Sequence, residues 1–312
     1  MSAYAVVNPR SGNGRTGREW KTIARALGEV YPRLAVGFSE RRGDVTRLVR
    51  QALIEGHQEI VAVGGDGTIN EAVNGMFDET GAVAPDKVFA FVTSGTGGDF
   101  RKSFGIDAGI EAAAARLKKG AVRAVDVGRV SCLTATGEPT ARYFINIASF
   151  GMSGLIVESV NRARIAKLFG GSFAFRFHAT LGAMRYKNAP VRLIVDGAED
   201  ARLKIATVAV SNGQYFGGGM RVAPDAKTAD GLFDVVVMQA APKGQSVASM
   251  KLLYTGEHVQ QPYVRVVRGT HVVAAPVAET GGRAVWIETD GESAGRLPAT
   301  FEILPGALNL RC

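Results

Sequence analysis

Short runs of β-branched residues alternate with helical patterns through the first third of the chain. The strand-like runs are residues 4–7, 34–38, 60–63 and 88–92, and the helical stretches are residues 18–29, 45–55, 69–76 and 109–118. Alternation of this kind is typical of a parallel sheet that is covered by helices on both faces. The pattern therefore predicts an α/β domain with an open parallel sheet over residues 1–126.

From about residue 125 the pattern changes, because strand-like runs follow one another with turns between them. These runs are residues 127–133, 142–147, 191–195, 203–210, 233–238, 263–267, 271–274, 285–288 and 300–304. A long segment at 154–188 and a helix near 245–254 interrupt them. The pattern predicts a mainly antiparallel β domain over residues 127–312. A cleft between two such domains is a common place for a substrate site.

Composition agrees with two globular domains and points to anionic partners. The chain has 312 residues, 46% of them hydrophobic and 21% charged, and its formal net charge is +8. Such a charge favours nucleotide phosphates, nucleic acid or an anionic membrane surface without choosing among them. The two cysteines, the absence of a signal peptide and the absence of a membrane-spanning apolar run predict a cytoplasmic protein whose membrane contact is peripheral.

The glycine-rich turn Gly64-Gly65-Asp66-Gly67-Thr68 follows a strand-like run and precedes a helical pattern. Amides in such a turn approach a phosphate closely, and the helix dipole adds to the attraction. We expect the helix to start near Thr68 as its N-cap. A carboxylate at position 66 suggests a role linked to a metal ion, whereas the alternative is a plain turn with a solvated aspartate.

Two further glycine-rich turns follow other strands of the predicted sheet. Residues 92–102 carry Ser94, Gly95 and Thr96, with Asp99 a few positions later. Residues 7–17 include the pair Asn8-Pro9, and Gly12, Gly14 and Gly17 match G-x-G-x-x-G. This pattern suits a dinucleotide loop or a general phosphate loop. In an open α/β sheet all these turns lie at the carboxyl edge of the strands, where ligands bind.

Acidic residues of the second half offer two more candidate groups. Asp290 and Glu292 are spaced so that both side chains point the same way if the segment is extended, although Asp-Gly is also a common hairpin turn. An aspartate is the usual group beside the acceptor hydroxyl in kinases. Asp225, Asp230 and Asp234 surround a turn that could hold Mg²⁺ or Ca²⁺ or could simply be solvated.

With these segments identified, the sequence resembles the diacylglycerol kinase catalytic domain family, specifically the bacterial soluble lipid kinases, which are relatives of NAD kinase. The matching segments occur in family order along nearly the whole chain: Asn8-Pro9-x-Ser11-Gly12, Gly64 to Thr68 with Asn70-Glu71, Ser94-Gly95-Thr96 with Asp99-Phe100, Val125 to Gly128, Asn146 to Gly151, Ser211-Asn212-Gly213, Pro224-Asp225 with Asp230-Gly231-Leu232, and Asp290-Gly291-Glu292.

The resemblance implies an ATP-dependent kinase that transfers the γ-phosphoryl group to the hydroxyl of a lipid such as diacylglycerol, with Mg²⁺. It also implies peripheral contact with an anionic membrane and no nucleic-acid partner, and it leaves the lipid and a homodimer open. The alternatives are an NAD kinase and a non-catalytic nucleotide- or lipid-binding regulator. The implied site residues are Asp290, Glu292 and Asp66 for catalysis; Asn8, Ser11, Gly12, Gly64, Gly65, Gly67, Thr68, Ser94, Gly95, Thr96, Asp99 and Asp126 for nucleotide and its metal; and Asp225, Asp230 and the Leu232 carbonyl for a structural metal.

The chain departs from the family pattern at two places. Gly98 replaces an asparagine of the family, so we expect one polar contact to the nucleotide to be lost. The sequence also stops soon after its last predicted strand, so we expect no C-terminal helix that returns to the first domain, and a loose hinge.

Overall fold

The computed structural model describes residues 2–93, 98–162, 186–239, 246–277 and 283–312. The chain divides into two compact units: unit 1 comprises Met1–Val127 and Pro305–Cys312, and unit 2 comprises Gly128–Leu304. The sequence-based assignment placed residues 305–312 in the second domain, whereas the structure groups them with unit 1. None of the described helices is both long and apolar enough to cross a membrane.

Unit 1 is built on parallel strands with helices between them. Its strands are β1 (Ser2–Val7), β2 (Arg33–Phe38), β3 (Glu59–Gly64), β4 (Phe77–Asp78), β5 (Gly81–Ala82) and β6 (Val88–Thr93), and its helices are α1 (Ser11–Val30), α2 (Asp44–Ile54), α3 (Asp66–Met76), α4 (Asp99–Ser103) and α5 (Ile110–Lys119). β1 pairs in parallel with β2 and β3, and β3 pairs in parallel with β6. The carboxyl ends of these strands therefore share one edge.

Two helices of unit 1 begin earlier than the pattern predicts. α1 starts at Ser11, and its residues 12–14 are left-handed before the regular helix continues. α3 starts at Asp66 with Gly65 in the N-cap position, so the expectation that Thr68 is the N-cap is wrong. The physical reason is that Thr68 already donates its backbone N–H to the Gly65 carbonyl, at 2.9 Å, and so lies inside the first turn.

Unit 2 is an antiparallel β domain, as predicted. Along the chain follow β7 (Val122–Leu133), which begins in unit 1, β8 (Pro139–Phe144), β9 (Ile147–Gly151), α6 (Met152–Arg162), β10 (Ala189–Val195), β11 (Glu199–Ser211), β12 (Tyr215–Phe216), β13 (Met220–Arg221), β14 (Phe233–Gln239), α7 (Ser246–Thr255), β15 (Val264–Gly269), β16 (His271–Pro276), β17 (Trp286–Thr289) and β18 (Glu292–Arg311). The strands from β15 to β18 are ordered β15-β14-β11-β10-β16-β18, and β17 pairs with β18 and β9.

The core of unit 2 is formed by inward-facing aliphatic and aromatic side chains of these strands, including Phe144, Phe150, Phe233 and Phe301. The predicted strand at 142–147 is divided in the structure between the end of β8 and the start of β9, because the ladder breaks at residues 145–146. Most of the basic and apolar segment predicted at 154–188 lies outside the described residues.

The end of β18 belongs to unit 1. Asn309 and Leu310 pair in parallel with Val88 and Phe89 of β6. The chain therefore comes back to unit 1 as a strand rather than as a helix. Its path was not foreseen because prolines and glycines interrupt the strand pattern of residues 295–306.

Candidate active site

The turn between β3 and α3 is closely packed at its first glycine. A Cβ added to Gly64 would collide with the side chain of Thr68. Thr68 is held in place because its Oγ1 accepts a hydrogen bond from Asn8 Nδ2 at 3.2 Å, and the Asn8 backbone N–H donates to the Val63 carbonyl. The structure thus joins the predicted phosphate loop at 64–68 to the one at 7–17.

Gly65 has a different environment. A Cβ added there would meet no atom within 4 Å, and its φ of −97° is open to any residue. Neither packing nor backbone conformation explains a glycine at this position. The free space next to a helix N-terminus fits an anionic group that approaches the backbone from outside.

Asp66 and Asp99 lie together at the start of α3 and α4. The Asp66 carboxylate accepts the backbone N–H groups of Asp99 and Phe100, each at 3.3 Å. Burial, and then the charge of Asp99, raise the pKa of the Asp66 carboxyl. On the other side, Asp99 Oδ1 lies 3.7 Å from Lys102 Nζ. Two neighbouring carboxylates are the kind of oxygen ligand that Mg²⁺ takes, so the pair fits the predicted metal.

The remaining members of the second predicted turn, Ser94, Gly95 and Thr96, lie outside the described residues. Gly98 is described and has a left-handed backbone with φ of 61°. Asparagine and glycine are the residues that adopt this conformation most readily. The replacement of the family asparagine by Gly98 is therefore compatible with the backbone, whatever contact it removes.

A pocket that the sequence did not indicate lies where β2 ends. It has a volume of about 360 Å³ and is lined by Phe38, Glu40, Arg41, Asp44 and Arg47. The Asp44 carboxylate accepts the backbone N–H groups of Glu40 and Arg41, which lowers the pKa of its carboxyl. This loop follows the carboxyl end of β2, and it therefore lies at the same edge of the parallel sheet as the predicted phosphate loops.

Two more predicted residues of unit 1 take defined places. Ser11 hydrogen-bonds through its hydroxyl to Thr16, just ahead of left-handed Gly12. Asp126 is buried, and its Oδ1 accepts the backbone N–H of Gly306 at 2.8 Å, so it fixes the end of β18 in unit 1. Its implied role in binding the nucleotide and its metal remains a prediction.

In unit 2, Asp290 and Gly291 form a tight hairpin turn between β17 and β18. Both have positive φ, of 49° and 86°, which is the pattern of Asp-Gly hairpins. Thr289 and Glu292 face each other across the turn. Of the two possibilities that the sequence left open, the structure has the Asp-Gly hairpin turn and not the extended segment.

The Asp290 carboxylate is held by three backbone amides. Its Oδ1 accepts the N–H groups of Asn146 and Ile147 at 3.1 and 3.0 Å, and its Oδ2 accepts that of Ile145 at 3.1 Å. Asn212 donates its side-chain amide to the Ile145 carbonyl at 2.9 Å. Three separate family segments of the sequence thus meet around one carboxylate.

Glu288 was missed from the sequence, and it is the most perturbed acid of this region. Its side chain is buried at the end of β17, hydrogen-bonded to Ser149, and burial raises the pKa of its carboxyl to about 8. The available signal was an acidic residue directly after the apolar run Val285 to Ile287, which the hairpin motif next to it obscured.

The predicted structural metal site of Asp225, Asp230 and the Leu232 carbonyl remains a prediction. Among the described residues, no three His, Cys, Asp or Glu side chains are arranged to hold a metal ion. Asp230 forms an ion pair with Arg268 and accepts the Leu232 N–H at 3.2 Å, while Asp234 lies 3.8 Å from Arg268. Asp225 acts on Asp234 only through its charge. Arg268 is thus the positive charge that balances Asp230 and Asp234 in this structure.

Comparisons with known proteins identify the family. Residues 146–312 match the YegS C-terminal NAD kinase beta sandwich-like domain, which covers more than half of the chain. The chain belongs to this family. Residues 2–130 match the diacylglycerol kinase catalytic domain, which confirms the resemblance predicted from the sequence.

Relatives of this family member align along almost the whole chain. A diacylglycerol kinase of Mycobacterium tuberculosis is 25% identical and covers 98% of this chain and 93% of its own length. One of Staphylococcus carnosus is 28% identical, with 96% and 91% covered. A crystal structure of a diacylglycerol kinase from Bacillus anthracis is 20% identical and superposes with a TM-score of 0.69 over 99% of this chain and 96% of that one. This last similarity shows a common two-domain fold.

Proposed function

We propose that this chain is an ATP-dependent lipid kinase that transfers the γ-phosphoryl group to the hydroxyl of a lipid such as diacylglycerol. The observation that carries the proposal is the match of both chain halves to kinase-related families, with relatives named diacylglycerol kinase covering almost the whole chain. The geometry within each unit supplies the chemical roles.

The turn at the start of α3 supports phosphate binding in unit 1. Gly65 leaves free space beside the helix N-terminus, and Asn8 and Thr68 fix the turn on which that space opens. Exposed amides and the helix dipole favour the phosphates of ATP there. We assign Ser11, Gly12, Gly64 and Gly67 to the same loops, together with Ser94, Gly95 and Thr96 of the sequence motif.

The acidic pair supports a divalent cation beside those phosphates. Burial and, after it, repulsion by the charge of Asp99 raise the pKa of the Asp66 carboxyl. A bound Mg²⁺ would relieve this repulsion and neutralise charge on the transferred phosphoryl group. Asp126 belongs to this proposed network, and Asp225, Asp230 and the Leu232 carbonyl to a proposed structural metal site, which requires Arg268 to give way.

Asp290 is the proposed partner of the acceptor hydroxyl, with Glu292 beside it. Three backbone amides hold the Asp290 carboxylate in one orientation. In a largely dissociative phosphoryl transfer, correct orientation of the nucleophile matters more than early deprotonation. A fixed carboxylate suits that task, because it aligns the hydroxyl and then takes its proton.

Phosphorylation of a panel of lipid alcohols by γ-labelled ATP and Mg²⁺ in anionic micelles tests the function. The panel contains diacylglycerol, phosphatidylglycerol and a sphingoid base, with NAD as the soluble control. We expect label on a lipid and none on NAD. Label on NAD alone would establish the NAD kinase alternative, and ATP binding without any turnover would establish the regulator.

Peripheral contact with an anionic membrane follows from the lipid substrate and the net charge of +8. Sedimentation with vesicles that contain phosphatidylglycerol, against vesicles of phosphatidylcholine alone, measures it. Binding to both vesicle types alike would contradict an electrostatic contact.

A further inference from the structure

Glu288 hydrogen-bonds to the backbone of the turn that carries Asp290. It is 2% exposed, and its Oε2 accepts the backbone N–H of Gly291 at 2.8 Å. Gly291 is the second residue of the turn that carries Asp290, so this hydrogen bond connects the turn to the buried end of β17. Its other oxygen, Oε1, hydrogen-bonds with the hydroxyl of Ser149 on β9.

The hydroxyl of Ser149 has a second partner. Its Oγ lies 2.8 Å from the Oγ of Ser153, on the first turn of α6. A serine hydroxyl carries one proton and can donate one hydrogen bond. If Glu288 is ionised, Ser149 must donate to Glu288 and accept from Ser153. If Glu288 is protonated, the chain runs the other way, from Glu288 through Ser149 to the half-buried Ser153.

The surroundings of Glu288 decide between the two directions. Burial is the largest effect and raises the pKa of the Glu288 carboxyl; the hydrogen bonds from Ser149 and Gly291 lower this pKa, and the carboxylates of Asp290 and Glu292 raise it again. α6 packs against β17 and contributes Glu158, which accepts a hydrogen bond from Ser293. β9 contributes no titratable side chain. On β18, Arg296 donates to the Thr134 carbonyl. In the described parts of the chain, no ion pair includes Glu288.

We propose that Glu288 is a positioning residue that holds the Asp290 turn as a neutral carboxylic acid. This inference rests on the proposed function of Asp290. The neutral acid is compatible with both contacts, since it can share a hydrogen bond with the Ser149 hydroxyl and accept from Gly291, and it adds no third negative charge beside Asp290 and Glu292. An ionised Glu288 would repel both, and the turn that carries the reacting carboxylate would shift.

The neutral form has a measurable consequence at alkaline pH. Because Glu288 releases its proton near pH 8, the turn loses its neutral support above that pH. The turnover number should fall there, while binding of ATP should stay the same because unit 1 carries the proposed phosphate loops. A glutamine has the shape of the neutral acid and does not titrate. It should keep the turn in place at every pH.

Steady-state kinetics from pH 6 to 10 on the full chain, with ATP and the best lipid of the panel, test the proposal. We expect wild-type kcat to fall above about pH 8 and Glu288→Gln to remove that fall. Glu288→Ala should lower kcat by about tenfold to a hundredfold at all pH values, with an unchanged KM for ATP. Glu302→Gln, at a partly exposed glutamate on β18 that pairs with Arg129, is the matched control and should keep the wild-type profile.

Each outcome decides one question. A Glu288→Gln profile that falls as the wild type does, or a Glu288→Ala kcat equal to the wild type with a native melting temperature, would overturn the positioning role. Absence of lipid phosphorylation by the wild type would overturn the proposed function instead. In that case carbon-13 NMR of labelled glutamates, with Glu288→Gln for assignment, still tests the neutral acid: a titration midpoint near 8 supports it and one near 4.5 overturns it.

Discussion

Arg311 and Glu59 form a two-bond ion pair across 252 positions of the chain, with N–O distances of 2.6 and 2.8 Å. Glu59 is 1% exposed, and Tyr31 donates its hydroxyl to the same carboxylate at 2.6 Å. Arg116 donates to the Arg311 carbonyl at 2.5 Å. The final segment of β18 is thus fixed to unit 1 by charged hydrogen bonds as well as by its strand pairing.

Replacement of Arg311 by methionine should destabilise unit 1. Glu59 would then be a buried carboxylate without its cation, and breaking a buried pair in this way costs about 3 to 5 kcal/mol. Trp20 lies in unit 1 and Trp286 in unit 2. Urea unfolding followed by fluorescence in a Trp286→Phe background therefore reports the stability of unit 1.

The matched control is Arg192→Met. Arg192 forms the same kind of two-bond pair with Asp200, but both side chains are about half exposed. An exposed pair contributes about 1 kcal/mol or less, so this variant should unfold almost as the wild type does. Both tryptophans are retained in this variant so that fluorescence follows both units. Equal losses in the two variants would contradict a special role for the Glu59 pair.

Gly64 and Gly65 should respond in opposite ways to alanine. Gly64→Ala forces a Cβ against buried Thr68 and should lower the free energy of unfolding by about 1 to 3 kcal/mol. Gly65→Ala meets no protein atom and should leave stability unchanged, but its methyl group occupies the proposed phosphate space. We expect its KM for ATP to rise about tenfold or more. A wild-type KM in Gly65→Ala would argue against phosphate binding at this turn.

Asp66→Asn should stop phosphoryl transfer and leave the fold intact. The substitution removes a negative charge that burial and Asp99 disfavour. It also replaces one of the two carboxylate oxygens that accept backbone N–H groups by an amide nitrogen, so one of these hydrogen bonds is lost. These effects oppose each other, so stability should change by only about 1 kcal/mol, while kcat should fall by at least about a hundredfold. Asp107→Asn, an exposed carboxylate of the same unit, provides the control. Near-normal turnover in Asp66→Asn would contradict the metal-linked role.

The sequence predicts elements well where one local pattern decides them. The buried strands β1, β3 and β6 appear as uninterrupted apolar runs, and they were located within two residues of their observed bounds. It fails where glycine and proline hide continuity, as in β18, which spans 20 residues although only its centre was predicted. At Asp290 it left an extended segment and an Asp-Gly hairpin turn open, and only the structure decides for the turn.

The candidate site divides in the same way. Motif residues such as Asp66 and Asp290 could be named in advance, because glycine-rich turns and Asp-Gly pairs have recognisable spacing. Their contacts could not, because Asp66 meets Asp99 and Asp290 meets Asn146 only after the strands pair. Glu288 shows the limit most clearly: its acid chemistry depends on burial and on Ser149, which lies 139 positions away.

The same glutamate should make stability depend on pH. Below about pH 4.5 both folded and unfolded chains carry the Glu288 proton. Between about pH 4.5 and pH 8 the unfolded chain has released this proton and the folded chain has kept it. The free energy of unfolding therefore falls as pH rises, because deprotonation stabilises only the unfolded chain. The decline reaches about 1.4 kcal/mol per pH unit inside this window and stops above pH 8.

Glu288→Gln removes this contribution and leaves all other titrations common to both proteins. The melting temperature of the wild type minus that of Glu288→Gln should therefore fall steadily from pH 5 to pH 8 and level off beyond it. Differential scanning calorimetry over this range measures the difference directly. Parallel curves would mean that Glu288 titrates alike in the folded and unfolded chains, which is incompatible with the burial that the structure gives it.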